Sequence, residues 1–345
     1  SGSSFNPTPK IYRSTDLVHW EVIAQPVKAS WPAYGDNPGG GIWGGHMVLY
    51  DEIYWHFFGR GGGSMYFVTA DQPEGPWSDP TMIQVPDGMP AGLGVDNSIF
   101  IDDETGKWYL LTKAGHANNH LVELGEDGQP NGNVLDLTWL NSDTAYGWAE
   151  GPVMWKYKDY YYYSFAEHLV GRQYVMRSDT LTDDESDWTV VASSSNIFTG
   201  SAGTYNRPNH ISPVVLLDDS TSWAIGHSYH QSNDWYAQGR QGLLHRVTYT
   251  DDGWPIIQYP SSYAEEAPNL PSSGIPWMVP KSDMFNGASL NPEWSLLGYT
   301  SLESFSLTNR PGWLYLEPFR GGNTVIQNDG EHQYCLLYTS DAADE

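Results

Sequence analysis

Four times along the chain an apolar segment, an acidic or glycine turn and an aromatic segment follow one another. That recurrence constrains the fold more than any other feature. The four stretches are HMVLYDEIYWHFFG from His46, NSIFIDDETGKWYLLTKA from Asn97, PVMWKYKDYYYYSFA from Pro152 and PVVLLDDSTSWAIGHSY from Pro213. Runs of β-branched and aromatic residues bounded by Gly, Pro, Asn and Asp read as hairpins. Behind each comes a third strand and then a fourth that contains or ends at Trp: MYFVTADQPEGPWSDP, HLVELGEDGQPNGNVLDLTWL, QYVMRSDTLTDDESDWTVV and LLHRVTYTDDGWPIIQ. Helical periodicity is hard to find. Units of four antiparallel strands recurring roughly every fifty residues predict an all-β chain folded as a β-propeller.

The first unit breaks the pattern. KIYRSTDLVHWEVI, from Lys10, supplies a third and a fourth strand with no hairpin in front. The expected fold is therefore a five-bladed propeller over residues 1–262 with an incomplete first blade, whose open edge invites homo-oligomerisation. Residues 263–280, rich in proline, read as a linker. DMFNGASLNPEWSLLG and SLESFSLTNRPGWLYLEPF then read as strands of a partial β-sandwich over residues 281–334. Residues 335–345, CLLYTSDAADE, match the translation of a transposon-end sequencing adapter and are expected to be a non-native tail. It holds the one cysteine, Cys335, so an intrachain disulfide is ruled out.

A formal net charge of −26 argues against nucleic acid and anionic membrane, since a phosphate surface would repel it. No apolar run approaches the length of a membrane span. Neutral ligands remain. Sixteen Trp and 23 Tyr, many beside Gly or Pro, suit the stacking surfaces that sugar rings need as well as an aromatic core.

In a propeller the innermost strands converge on a central channel, so residues at their starts share one cavity. Asp96 in GLGVDNSIF and Glu150 in GWAEGPVMW hold matching positions immediately before first strands. That places two carboxylates at one end of the channel, a few to roughly ten ångströms apart. Glycoside hydrolysis requires such a pair, one carboxyl kept protonated to donate to the leaving oxygen and another to activate water or tune the first. Gly151-Pro152 fixes a bend behind Glu150, and the tyrosine-rich strand beyond it makes a low-dielectric wall that favours the protonated acid.

The ordered stretches STDLVHW, GIWGGHMVLYDEIYWHFF, TADQPEGPWSDP, VDNSIFIDDETGKWYLL, EGPVMWKYKDYYYYSFA and GRQGLLHRVTYTDDGWPI resemble the blade motifs of glycoside hydrolase family 43, over roughly residues 8–258. LTNRPGWLYL resembles the β-sandwich appended to many xylosidase-type members. The resemblance implies an inverting β-xylosidase or α-L-arabinofuranosidase acting on arabinoxylan, xylan or arabinan, working outside the cell or in the periplasm and requiring no cofactor. It implies Glu150 as general acid and Asp96 as the aspartate that raises the acid's pKa. Trp43 falls at an active-site tryptophan, although Gly44-Gly45 stands where the family has Ala-Pro. Arg240 in GRQG and His210 in PNHISP match substrate-facing positions, and His227 in IGHSY resembles a histidine that in some members holds a structural calcium.

One departure has chemical weight. The family's general base is an aspartate in the first hairpin of blade one, the hairpin that the repeat lacks here. SGSSFNPTP contains no carboxylate, and Asp36 in YGDNPGGGIW is the candidate surrogate. Losing a general base costs about 10²–10⁴-fold in rate. The expectation is a hydrolase with impaired turnover in this chain, with a sugar-binding pseudoenzyme as the alternative.

Overall fold

The structure is a computed structural model that describes residues 9–28, 31–34, 42–60, 63–89, 92–114, 118–142, 149–167, 171–190, 196–200, 203–230, 240–259, 267–276, 283–294 and 305–316. Nearly every described element is a β-strand, and the strands form sheets in sequence order. The first sheet has two strands, β1 (Ile11–Arg13) and β2 (Glu21–Ala24). Blade two runs from β3 (Ile42–Tyr50) through β4 (Ile53–Arg60) and β5 (Ser64–Ala70) to β6 (Thr81–Met82). Blade three holds β7 (Ser98–Ile101), β8 (Trp108–Ala114), β9 (Asn118–Leu124) and β10 (Pro130–Asp136). Blade four holds β11 (Ala149–Tyr157), β12 (Tyr160–Glu167), β13 (Arg172–Ser178) and β14 (Thr189–Val190).

Blade five differs from the expectation. Its hairpin was expected to begin at Pro213, yet the innermost strand is β16 (Tyr205–Asn209), and Val215–Leu216, β17, is a two-residue remnant. Both pair with β18 (Ser222–His230), which continues into β19 (Arg240–Tyr249) and β20 (Pro255–Gln258). Arg207-Pro208 inside β16 hides the strand, because proline removes a ladder donor and the backbone bulges there. A further strand, β15 (Phe198–Thr199), lies parallel to β20 at the outer edge.

Side-chain alternation explains why the sheets stack. Phe58 on β4 faces the first sheet with Ile11, Ala24, Ile42 and Val68, whereas its neighbour Phe57 faces blade three with Ile99, Trp108 and Val122. The same pattern recurs around the molecule. Leu111 and Leu121 of blade three meet Met154, Tyr163 and Tyr174 of blade four, and Trp155, Tyr162 and Val175 meet Ala224, Val247 and Ile257 of blade five. Each apolar layer thus joins two successive sheets. This is how blades pack around a propeller channel.

The segment after the last blade docks on the first sheet. Gln25 Nε2 donates to the Pro292 carbonyl at 2.6 Å and also to that of Trp294, and Lys10 Nζ donates to the Glu293 carbonyl. Asp16 accepts the Ser273 N–H at 2.9 Å as well as those of Val18 and His19, and these bonds hold its carboxyl far below the usual range. Residues 267–276 have no regular structure, as a linker would. Within the stretch expected to form a partial sandwich, β21 (Phe305–Ser306) and β22 (Tyr315–Leu316) pair as a short hairpin. The tail at 335–345 lies outside the described residues.

Candidate active site

The innermost strands of three blades carry the same irregularity. In β3 the residues Gly44 and Gly45 are inserted between Trp43, opposite Gly59, and His46, opposite Phe57. In β11 the residues Gly151 and Pro152 lie between Glu150, opposite Ala166, and Val153, opposite Ser164. In β16 Arg207 and Pro208 lie between Asn206, opposite Tyr229, and Asn209, opposite His227. Two residues face one in each case, which bends the strand and re-aims the preceding side chain. The first inserted residue is left-handed every time, at φ 53 for Gly44, 58 for Gly151 and 49 for Arg207.

These bends bring the next blade's polar group into the site. A Cβ on Gly44 would stand 2.5 Å from Asp96 Oδ1, and one on Gly151 would stand 2.6 Å from His210 Nδ1. Only glycine leaves that room. Asp96 and His210 are themselves left-handed, at φ 56 and 51, so each is lifted out of its strand direction toward the axis. Asn97 Nδ2 donating to the Leu93 carbonyl at 2.7 Å and the Ser98 hydroxyl donating to the Pro152 carbonyl fix the loop that carries Asp96. The Ile99 N–H donates to His46 Nδ1 at 2.9 Å and ties the same strand to blade two. Burial pushes His46 down to about 4, so it stays a neutral acceptor.

Asp96, Glu150 and His210 converge, each offering one atom within 4.8 Å of the others. His210 Nε2 and Glu150 Oε1 are 3.2 Å apart, and the His210 ring stacks on His227 with centroids 5.1 Å apart. The two carboxylates are closer than the 6.5–9.5 Å that an inverting acid and base keep for water between them.

Trp43, 39% exposed, stands at the position in β3 that Glu150 holds in β11, where a sugar could stack on it. Arg240 opens β19 opposite Tyr229, and its side chain lies outside the described residues, as does Asp36. The Asp96, Glu150 and His210 atoms are close enough to hold one metal ion. His227 is not in that group and packs against the His210 and Tyr229 rings. Calcium asks for six to eight oxygen ligands, which two carboxylates and an imidazole do not make up. Sequence reasoning missed the bond between His210 and Glu150 and the part played by the bulge glycines. The available signal was the glycine that follows both Trp43 and Glu150.

The sequence profile of glycosyl hydrolases family 43 matches residues 1–255. Among curated proteins, the non-reducing end alpha-L-arabinofuranosidase BoGH43B of Bacteroides ovatus is 30% identical over 333 residues, covering 90% of this chain and 59% of its own length. A xylan 1,3-beta-xylosidase of a Vibrio species is 27% identical over 348 residues, covering 90% and 62%. The crystal structure of a xylan beta-1,4-xylosidase from Bacillus halodurans superposes with a TM-score of 0.75 at 25% identity, covering 94% of this chain and 64% of that one. The chain spans about three fifths of the length of the curated relatives it matches.

Proposed function

Because the chain belongs to glycosyl hydrolases family 43, we propose that it hydrolyses the glycosidic bond of an α-L-arabinofuranosyl or β-xylosyl unit at the end of a plant-type oligosaccharide, with inversion. The observation that carries this reading is Glu150 clustered with Asp96 and His210, with the exposed Trp43 at the equivalent bulge of β3. Glu150 delivers a proton to the leaving oxygen as the bond to the anomeric carbon breaks. Asp96, ionised beside it, keeps that proton on Glu150 until the transition state. His210 holds the carboxyl in place through Nε2, and Trp43 stacks on the sugar.

Water must be activated from the opposite face of the sugar. Asp96 is too close to Glu150 to do so, and we propose that this chain turns over slowly unless Asp36 approaches the pocket. Hydrolysis of the 4-nitrophenyl glycosides of α-L-arabinofuranose and β-xylose, with and without azide, tests both parts. Turnover accelerated by azide, with a glycosyl azide as product, supports a competent acid that lacks its base. Turnover indifferent to azide and lost in Asp36→Asn assigns the base to Asp36. Neither sugar being released under either condition would refute the glycosidase reading.

A further inference from the structure

Glu150 and His210 belong to different blades, so their 3.2 Å contact requires β11 and β16 to stand at a fixed height relative to each other. A buried side chain crosses between those blades behind the contact. Gln173 on β13 is opposite Ala166, and Ala166 is opposite Glu150, which puts Gln173 in the row of the acid, two strands away. Residues two apart on a strand share a face, and Val175, two beyond Gln173, packs with Ile211 and Ala224 of blade five. Gln173 therefore faces the blade that carries His210, and it has no exposed surface.

Its amide is held at both ends. Oε1 accepts the N–H of Ile211, the residue after His210, at 3.4 Å. Nε2 donates to the Ser164 hydroxyl at 2.9 Å, and that hydroxyl donates to the Tyr174 carbonyl at 2.6 Å. A backbone N–H only donates, which fixes the oxygen of the amide toward blade five. Ser164 lies opposite Val153, the first residue after the Gly151-Pro152 bulge. The amide thus spans from the strand beside the Glu150 bulge to the strand of His210. The Gln173 backbone is tied as well, its N–H donating to Asn196 Oδ1 at 3.1 Å and its carbonyl accepting the Ile197 N–H at 3.1 Å. The apolar layer between blades four and five is non-directional and resists separation more than sliding. One hydrogen bond to each blade fixes the slide.

We propose that Gln173 is a positioning residue for the acid, setting the height at which β16 presents His210 to Glu150. Fully buried, it acts through His210 and not on the sugar. This inference rests on the glycosidase reading with Glu150 as acid. Without the bond to Ile211, His210 drifts from Glu150 and the proton is delivered from a misaligned carboxyl. Misplacement by about 1 Å can cost about 10²-fold in rate. Only a substrate whose leaving oxygen needs the proton feels that loss.

Gln173→Met keeps an unbranched side chain and removes both bonds. With azide present, its kcat/KM is expected to fall about 10–100-fold on arabinofuranosyl-xylotriose and about threefold or less on the 2,4-dinitrophenyl arabinofuranoside. Ser164→Ala removes the Nε2 acceptor alone and should cost about fivefold on the oligosaccharide, and it decides the matter if Gln173→Met does not fold. In a His210→Asn background the further loss from Gln173→Met should shrink toward none. Equal losses on the two substrates, as a merely structural residue would give, or a loss undiminished in the His210→Asn background would overturn the proposal. If the unaltered protein releases neither sugar, the glycosidase reading fails on its own account, and the ¹⁵N resonances of the His210 ring decide the positioning role. Their displacement in Gln173→Met or Ser164→Ala, with those of the distant His19 unmoved, would uphold it, and unmoved His210 resonances would overturn it.

Discussion

At the far end of β11, Tyr157 lies flat on Tyr249 with centroids 3.7 Å apart, and Arg177 is held between Tyr160 and Trp254 at 4.4 and 4.2 Å. At the near end of the same strand, Glu150 sits on a bulge, faces a left-handed histidine and depends on a glycine for room. The far end repeats regular hairpins and closes them with ring stacking, each contact worth about 0.5–1.5 kcal/mol beyond burial. At the near end the ladder is broken in three blades at the same place. The repeat holds the molecule together where it is kept, and it positions chemistry where it is interrupted.

The contrast is broken most severely by Gly151→Ala. The added methyl would collide with His210 Nδ1 at 2.6 Å and move the histidine off Glu150. A displacement of that size is expected to lower kcat/KM on an aryl arabinofuranoside by about 10²-fold, and wild-type kinetics would contradict the role given to the bulge. Gly106→Ala makes the matching change at the far end, in a turn where φ is 69 and nothing stands within 4 Å of the new methyl. There the expected result is about 1 kcal/mol of lost stability with unchanged kinetics.

Acid should loosen the near end first. His46 titrates at about 4 in the fold and near 6.5 when unfolded, so the unfolded chain binds the extra proton between those values. Its contribution is complete above pH 6.5 and is lost as pH falls toward 4, roughly 3 kcal/mol in all. Urea melts between pH 7 and 4.5 should show this slope together with those of the buried His56 and His245, which burial also holds low, and His46→Gln should reduce it by the His46 share. A smaller effect is expected from Arg177→Ala, about 1 kcal/mol, because its two ring contacts are partly exposed. Activity at 25 °C should not change, and a change would mean that the two ends are coupled.

Much of this was legible in the sequence, for physical reasons that differ by region. The hairpins of blades two, three and four begin within a few residues of His46, Asn97 and Pro152 because alternating aromatic and β-branched residues dictate the pleat directly. Asp96 and Glu150 stand out in the sequence because each lies within two residues of the start of an innermost strand, Asp96 ahead of β7 and Glu150 as the second residue of β11. Blade five was misjudged because YNRPN has neither alternation nor β-branched residues, and what makes it a strand is β18 beside it. From the sequence, the Trp77 segment reads as a fourth strand. The ladder forms later, at Thr81–Met82, with the Ser78 N–H donating to the Thr69 carbonyl at 2.8 Å. The contact of His210 with Glu150 depends on two left-handed residues in different blades, and backbone angles of that kind leave no trace in composition.

That Glu150 delivers the proton is tested most directly by Glu150→Gln, assayed on an unactivated arabinofuranosyl-xylotriose and on the 2,4-dinitrophenyl arabinofuranoside, with azide present in both. The leaving oxygen of the oligosaccharide needs a proton and that of the dinitrophenyl glycoside does not. The loss on the oligosaccharide should therefore be about 10²–10⁴-fold, against little on the activated substrate. Equal losses on the two substrates would contradict the assignment.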